Sequence, residues 1–201
     1  KKLIEKNAIG KIISARVEWG SYLPDWHPYE DYRVSYAARK KMAGGIMFTC
    51  IHEIDYLYWF FGDVKEVVSF SGKYSNLELD VDDLSTALLK FKKKMIVELH
   101  LDHFQRPESR NCKIIGTKGT IYWDSDSNSV KLFDLKKKQW IKQITIKNYK
   151  RNDMYVKELK YFLNCISRKR TIDNDLKQGI KTLEIAQAIL DSSKSKKVIE
   201  I

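Results

Sequence analysis

The stretch LSTALLKFKKKMIVELHLDHF, residues 84–104, decides the fold. Two strand-like runs, Leu84–Lys92 and Met95–Phe104, flank the lysine run 92–94. A link that short makes them antiparallel neighbours, because parallel pairing needs a crossover of about a dozen residues. The same grammar extends outward. Val64–Tyr74 precedes the pair, and Asn111–Thr117, Thr120–Asp124, Val130–Leu135 and Trp140–Ile146 follow it. Their links, Gly116–Gly119, Ser125–Ser129 and Lys136–Lys138, are equally brief and turn-like. A large, meandering, mostly antiparallel sheet follows.

Upstream, Gly10–Gly20 alternates Ile13, Ala15, Val17 and Trp19 on one face, the mark of a half-buried strand. Ser21–Arg33 (SYLPDWHPYEDYR) is a long aromatic and charged loop, and Ser35–Met42 a short basic turn. Gly44-Gly45 then opens a helix, Ile46–Phe61, which Gly62 ends. It is apolar nearly all round, which predicts burial on every side. Two amphipathic helices close the chain. Asn152–Ser167 is expected to bury Tyr155, Leu159, Phe162, Leu163 and Ile166. Leu176–Ser193 is expected to bury Ile180, Leu183, Ile185, Ala186, Ile189 and Leu190. Val198–Ile201 adds a last short strand. The fold class is α+β: one domain over residues 1–201, a large open sheet with helices on one face.

Composition narrows the function classes. The 201 residues are 43% hydrophobic, enough for a sizeable core. The longest apolar runs, Ile46–Ile51 and Tyr56–Phe61, fall far short of the roughly 20 residues a membrane span needs. Three widely spaced cysteines (Cys50, Cys112, Cys165) form neither a disulfide framework nor a metal knuckle, and a cytoplasmic setting is expected. The net charge of +11 is concentrated late: residues 1–130 carry 19 basic against 18 acidic residues, residues 131–201 carry 18 against 8. The excess is lysine scattered over solvated faces, with no base-reading motif, so neither nucleic acid nor a membrane is the expected partner. No GxGxxG and no GxxxxGK[ST] occurs, so no dinucleotide or P-loop site is expected within the chain.

His52 is the sharpest candidate for chemistry, a lone imidazole in an apolar helix. Asp55, three residues on, shares its face and is placed to orient the ring or raise its basicity. The second candidate is the loop Asp25–Arg33, whose flat rings and bidentate polar groups suit a polyhydroxylated ligand. No serine or cysteine sits in a nucleophile elbow, and no third ligand accompanies His52 and Asp55 for a metal.

The segment Gly44-Gly45-Ile46-Met47-Phe48-Thr49-Cys50-Ile51-His52-Glu53-Ile54-Asp55, with Gly62 after it, resembles the C-terminal domain of the glucose–fructose oxidoreductase / inositol dehydrogenase (Gfo/Idh/MocA) family. The resemblance runs through Ile9–Ile12, Asp80–Asp83, Ile115–Thr120, Glu158–Phe162 and Ala186–Val198, and the order and spacing of these pieces carry it. It implies an N-terminal Rossmann domain, outside this chain, that binds NAD or NADP and holds the catalytic lysine. It also implies hydride transfer to or from a sugar or sugar-like alcohol or ketone, and a homodimer or higher homo-oligomer through the open sheet face. The family's Asp-x-x-x-His motif places its histidine at His52, but its aspartate position holds Phe48. On this resemblance His52 is the proton donor/acceptor or a substrate anchor, helped by Thr49, Asp55 or the loop. Lys40, Lys41 and Arg33 hold an anionic substituent, and His27, Tyr29 and Tyr32 shape the pocket. The alternative is a non-catalytic ligand-sensing or assembly domain that lost the relay at Phe48. Alone, the chain is expected to be catalytically silent, since hydride transfer needs a coenzyme positioned against the substrate.

Overall fold

The computed structural model describes residues Lys1–Ile201. Helix α1 (Lys2–Glu5) leads into β1 (Ile12–Gly20). Single helical turns over Leu23–Met42 precede α2 (Ile46–Thr49) and α3 (His52–Phe61). Then come β2 (Val64–Gly72), β3 (Leu84–Phe91), β4 (Met95–Asp102), β5 (Ser109–Gly116), β6 (Gly119–Asp124), β7 (Ser129–Asp134) and β8 (Gln139–Thr145). Helices α4 (Asn152–Ser167) and α5 (Leu176–Ser195) and strand β9 (Ile199–Glu200) finish the chain. One open sheet takes all nine strands in the order β8-β7-β6-β5-β1-β4-β3-β2-β9. The α+β class and the expected strands are all present. The lysine runs do form the hairpin ends, with Lys94 at φ 56° and Lys138 at φ 52°.

The one parallel pair is β1 with β4. β1 also pairs antiparallel with β5, so it fills the gap spanned by the segment His103–Glu108. Its register slips between Ile12 and Ser14. That bulge turns Ile13 outward to 52% exposure, against the expected alternation, while Ala15 and Val17 stay buried.

The core lies between the sheet's inner face and the helices. Leu89 and Phe91 of β3 and Val97, Leu99 and Leu101 of β4 join Ile54, Leu57 and Phe61 of α3 and Ile185 and Ile189 of α5. Each such side chain contributes about 1.5–3 kcal/mol by leaving water. No helix is long and apolar enough to cross a membrane.

Three expectations about helices are corrected. Ile46–Phe61 is two helices, broken at Cys50–Ile51, and it is not buried all round: Trp59 is 49% exposed, whereas the charged Glu53 is fully buried. In α5, Ile185, Ala186 and Ile189 are buried as expected, but Ile180 and Leu183 are exposed. In α4, Tyr155, Leu159, Phe162, Leu163 and Ile166 are all exposed, and Cys165 alone is buried. The stripe is there; no part of this chain covers it.

The Gly44-Gly45 pair is needed by the turn into α2. Gly45 takes φ 105°, where an L side chain is strained, and an added Cβ would fall onto the Asp82 carboxylate. Asp82 caps the helix there, accepting the Met47 amide at 3.2 Å on its side chain and the Ile46 amide at 2.9 Å on its carbonyl.

Candidate active site

A cavity of about 590 Å³ opens where the end of β1, the start of α3, the segment after β4 and the start of α4 converge. Trp19 and Ser21 come from β1 and its exit, Tyr22, Asp25, Trp26 and His27 from the loop, and Thr49 and His52 from the broken helix. Gln105, Arg106, Pro107 and Glu108 line it after β4, and Arg151 and Tyr155 at α4. Close backbone approach builds its floor. A Cβ on Gly20 would strike the Asp102 carboxylate and the Gln105 side chain. That carboxylate holds the segment after β4 in place by accepting the Phe104 and Gln105 amides at 2.9 and 2.7 Å.

The walls are stacked rings. Trp19 and Trp26 lie nearly parallel with centroids 6.4 Å apart, and His52 tilts against the Trp19 ring at 5.9 Å. Trp26 Nε1 donates to Ser21 Oγ (2.7 Å) and Trp19 Nε1 to Glu108 (3.3 Å). Arg106 covers the Tyr22 ring at 3.2 Å. Flat apolar rings framed by hydroxyl, amide, guanidinium and carboxylate groups can grip the faces and edges of a polyhydroxylated ring.

His52 keeps its ring open to the cavity. Partial burial, then the positive charge of Arg110, holds its pKa below the ordinary histidine value, and Asp55 opposes this weakly. The imidazole is therefore neutral near pH 7, able to accept a proton at one nitrogen and donate from the other. The Thr49 hydroxyl is buried on the cavity wall with no hydrogen-bond partner in the chain, a group left over for a ligand. Phe48 does not share the His52 cavity. It lines a separate one of about 490 Å³ with Lys40, Asp80 and Asp82, because the break at Cys50–Ile51 puts Thr49, not residue 48, on His52's side.

Of the residues proposed from sequence, the structure brings together His52, Thr49 and His27. Asp55 makes no hydrogen bond to His52, although its charge acts to raise the ring's basicity. Its carboxylate reaches across to α5, accepting from Thr182 Oγ1 at 3.2 Å and from Asn174 Nδ2 at 3.5 Å. Arg33 is spent on Asp31 (2.9 Å) and Glu78 (3.3 Å). Tyr32 accepts the Glu78 amide at 3.0 Å and lines a small neighbouring hollow with His27. Tyr29 is 85% exposed and meets only His27, at 3.0 Å. Lys40 borders the Phe48 cavity, and Lys41 sits exposed on its turn without an ion pair.

Sequence reasoning missed the group beneath Trp19. Glu53 is buried completely, and Arg110 of β5 meets it at 2.7 Å through Nε and 2.5 Å through Nη2. A charged residue in an apolar helix was the available signal, but its partner lies on a strand 57 residues away. His103 is the second surprise. It is sealed, edge-on to Trp26 at 5.2 Å, neither ring nitrogen has a partner, and burial presses its pKa to about 4.

The whole chain, residues 1–201, matches the family model described as the oxidoreductase family, C-terminal alpha/beta domain. Levoglucosan dehydrogenase in complex with NADH and L-sorbose superposes on all of it with a TM-score of 0.87 at 17% identity, over 61% of that chain. An NAD binding oxidoreductase from Klebsiella pneumoniae gives 0.86 at 14% identity, with 100% of this chain and 62% of the other covered. An oxidoreductase domain protein from Kribbella flavida gives 0.86 at 16%, with 100% and 61% covered. This chain thus spans about three-fifths of the length of these structures. No curated protein matches it by sequence. The glycine-opened broken helix, the nine-stranded sheet and the match over the full chain lead to one family: the chain belongs to the Gfo/Idh/MocA oxidoreductases, as their C-terminal alpha/beta domain.

Proposed function

We propose that this chain is the substrate-binding and oligomerisation domain of an NAD(P)-dependent oxidoreductase acting on a sugar or sugar-like alcohol or ketone. The observation that carries the reading is His52, an open imidazole held neutral at the mouth of a polar cavity walled by tryptophans, in a domain of this family. Its relatives' names point the same way, one being a levoglucosan dehydrogenase bound to NADH and a sugar.

The residues present do not form a dinucleotide site. The helix start after Gly44-Gly45 is filled by the Asp82 carboxylate, and no GxGxxG turn opens another helix for a pyrophosphate. On this reading the coenzyme is held by the remainder of a longer protein and supplies the hydride chemistry. This chain's share is the proton: His52 accepts it from the substrate hydroxyl in oxidation and returns it in reduction. Thr49 Oγ1 and the His27 ring anchor neighbouring hydroxyls, while Trp19 and Trp26 present faces to the sugar.

The exposed stripe on α4 beside the cavity is suited to that remainder. The outer sheet face, with Phe70, Leu88 and Ile96 exposed at 69%, 46% and 49%, is suited to a second copy. One observation favours the alternative, a ligand sensor without turnover: position 48 carries phenylalanine and faces a different cavity.

Two measurements test the proposal. Titration of this chain with NADH is expected to show no binding, and micromolar affinity would overturn the two-domain reading. The longer protein, assayed by coenzyme absorbance against a panel of sugars, sugar acids and nucleotide sugars, is expected to turn over at least one. There His52→Asn lowers kcat/KM by about 10²- to 10⁴-fold. Ligand binding without any change in absorbance across the panel supports the sensor instead.

A further inference from the structure

Glu53 and Arg110 stand outside the cavity's polar lining, and the second Glu53 carboxylate oxygen is buried without a partner. Glu53 lies one residue after His52, fully buried, and Arg110 is its one hydrogen-bonding partner. Burial drives the Glu53 pKa up, against the pull of the guanidinium. An ion pair withdrawn from water recovers its desolvation cost only with tight geometry, and removing one partner is far costlier than replacing both. Such a pair behind the wall of a site calls for a role other than stability.

The role is legible in what the guanidinium touches. The guanidinium lies over the Trp19 ring at 4.4 Å and, farther off, over the Trp123 ring at 5.6 Å. Trp19 is the ring against which His52 rests, and its indole N–H is tied to Glu108. The series Glu53, Arg110, Trp19, His52 is thus one continuous packing of charge on ring on ring, closed by the single helical step between Glu53 and His52. We propose that Arg110, anchored by the buried Glu53, is a positioning residue: it clamps Trp19 as the wall behind His52 and keeps a fixed positive charge beside the imidazole. Together with the partial burial of the ring, that charge leaves His52 unprotonated at neutral pH, ready to take a hydroxyl proton when the substrate is oxidised. This consequence rests on the proposed role of His52, while the positioning itself does not.

The other charged groups around His52 are disposed differently. Asp55, on its own helix, favours the protonated ring and is directed to Thr182. Across the cavity Asp25 partners Arg106 at 3.7 Å, and Glu108, bonded to Trp19, is of the wrong sign. Arg151 and His27 also border the cavity.

The test is an NMR titration of the four histidine rings in this chain, with His52 assigned by the signal lost in His52→Asn. In the unaltered protein His52 is expected to titrate below 6.5; titration at or above that value overturns the proposal with no variant needed. The double variant Glu53→Gln/Arg110→Met removes both charges together, so no uncompensated ion stays buried. It is expected to raise the proton affinity of His52 about threefold to tenfold and to shift the Trp19 indole N–H signal. An unchanged His52 in the folded double variant overturns the proposal. Arg110→Lys retains charge without the planar fork, so His52 is expected to stay low while the Trp19 signal moves. An undisturbed Trp19 there removes the clamp from the proposal. None of these readouts requires turnover: if the longer protein reduces no coenzyme with any substrate, the proposed function fails while the titration still decides this point.

Discussion

Helices α4 and α5 carry the same kind of apolar stripe, yet α5 sinks into the molecule and α4 lies along its surface. α5 crosses the inner face of the sheet near β2 and stands against α3. Ile185, Ala186 and Ile189 are buried there, and Ser192 and Ser193 tie α5 to the backbone of Ser69 and Ser71. α4 follows the edge strand β8, and its Leu159 and Ile166 are each 58% exposed. An amphipathic pattern states that a face is meant to be covered. It does not say by what. In α5 the cover is this chain's own sheet; in α4 no part of this chain supplies it, and the stripe lies beside a cavity to which Tyr155 of α4 contributes.

The difference can be tested by perturbing each side. Ile189→Ala is expected to cost about 2–5 kcal/mol, read from the denaturation midpoint, since it leaves a hole in a sealed core. A loss under about 1 kcal/mol would mean that α5 is not docked as described. Next comes acid. Burial holds His103 neutral with its pKa near 4, whereas the unfolded chain takes up that proton near 6.5. Stability is therefore complete above about pH 6.5 and falls as pH drops toward 4, by about 3 kcal/mol from this group. His100, raised by its hydrogen bond to Asp102, acts in the opposite sense. His103→Leu is expected to flatten the acid limb, and an unchanged limb would show His103 to be solvated.

Ser192→Ala leaves the Ser69 amide and the Lys197 carbonyl without their shared hydroxyl, at about 1–3 kcal/mol in thermal or chemical unfolding. The smallest effect is expected on α4. Leu159→Ser should change the stability of this chain by no more than about 0.5 kcal/mol. A loss matching that of Ile189→Ala would erase the contrast between the two helices. Hydrogen exchange sharpens it further: α5 amides near Ile189 are expected to be protected close to the global stability, and those of α4 much less.

The strands were legible because each is bounded by turn residues and carries its own period of two, a signal that needs no partner. The hairpin links 92–94 and 116–119 specify neighbours for the same local reason. β1 was legible as a strand but not as the parallel neighbour of β4, since that pairing joins segments about 80 residues apart. The bulge at Ile13 was hidden too, because register is settled against β5. Within the site, His52 stood out as an imidazole among hydrocarbons. Thr49 and not Phe48 accompanies it because the helix breaks at Cys50–Ile51, and nothing in the residue types there announces a break. Asp55 shows the converse: its spacing from His52 was right, and its side chain went to Thr182 instead.

The order of residues alone settled which segments are strands, where they turn, and which helix carries the lone histidine, because local geometry and short loop lengths act within a few residues. The tertiary structure alone decided that Glu53 would meet Arg110, that Arg110 would lie on Trp19, and that one helix stripe would be covered and the other left bare. Those outcomes depend on which surfaces come to face one another across the sheet, and burial acts on the side chains that meet there regardless of their distance along the chain.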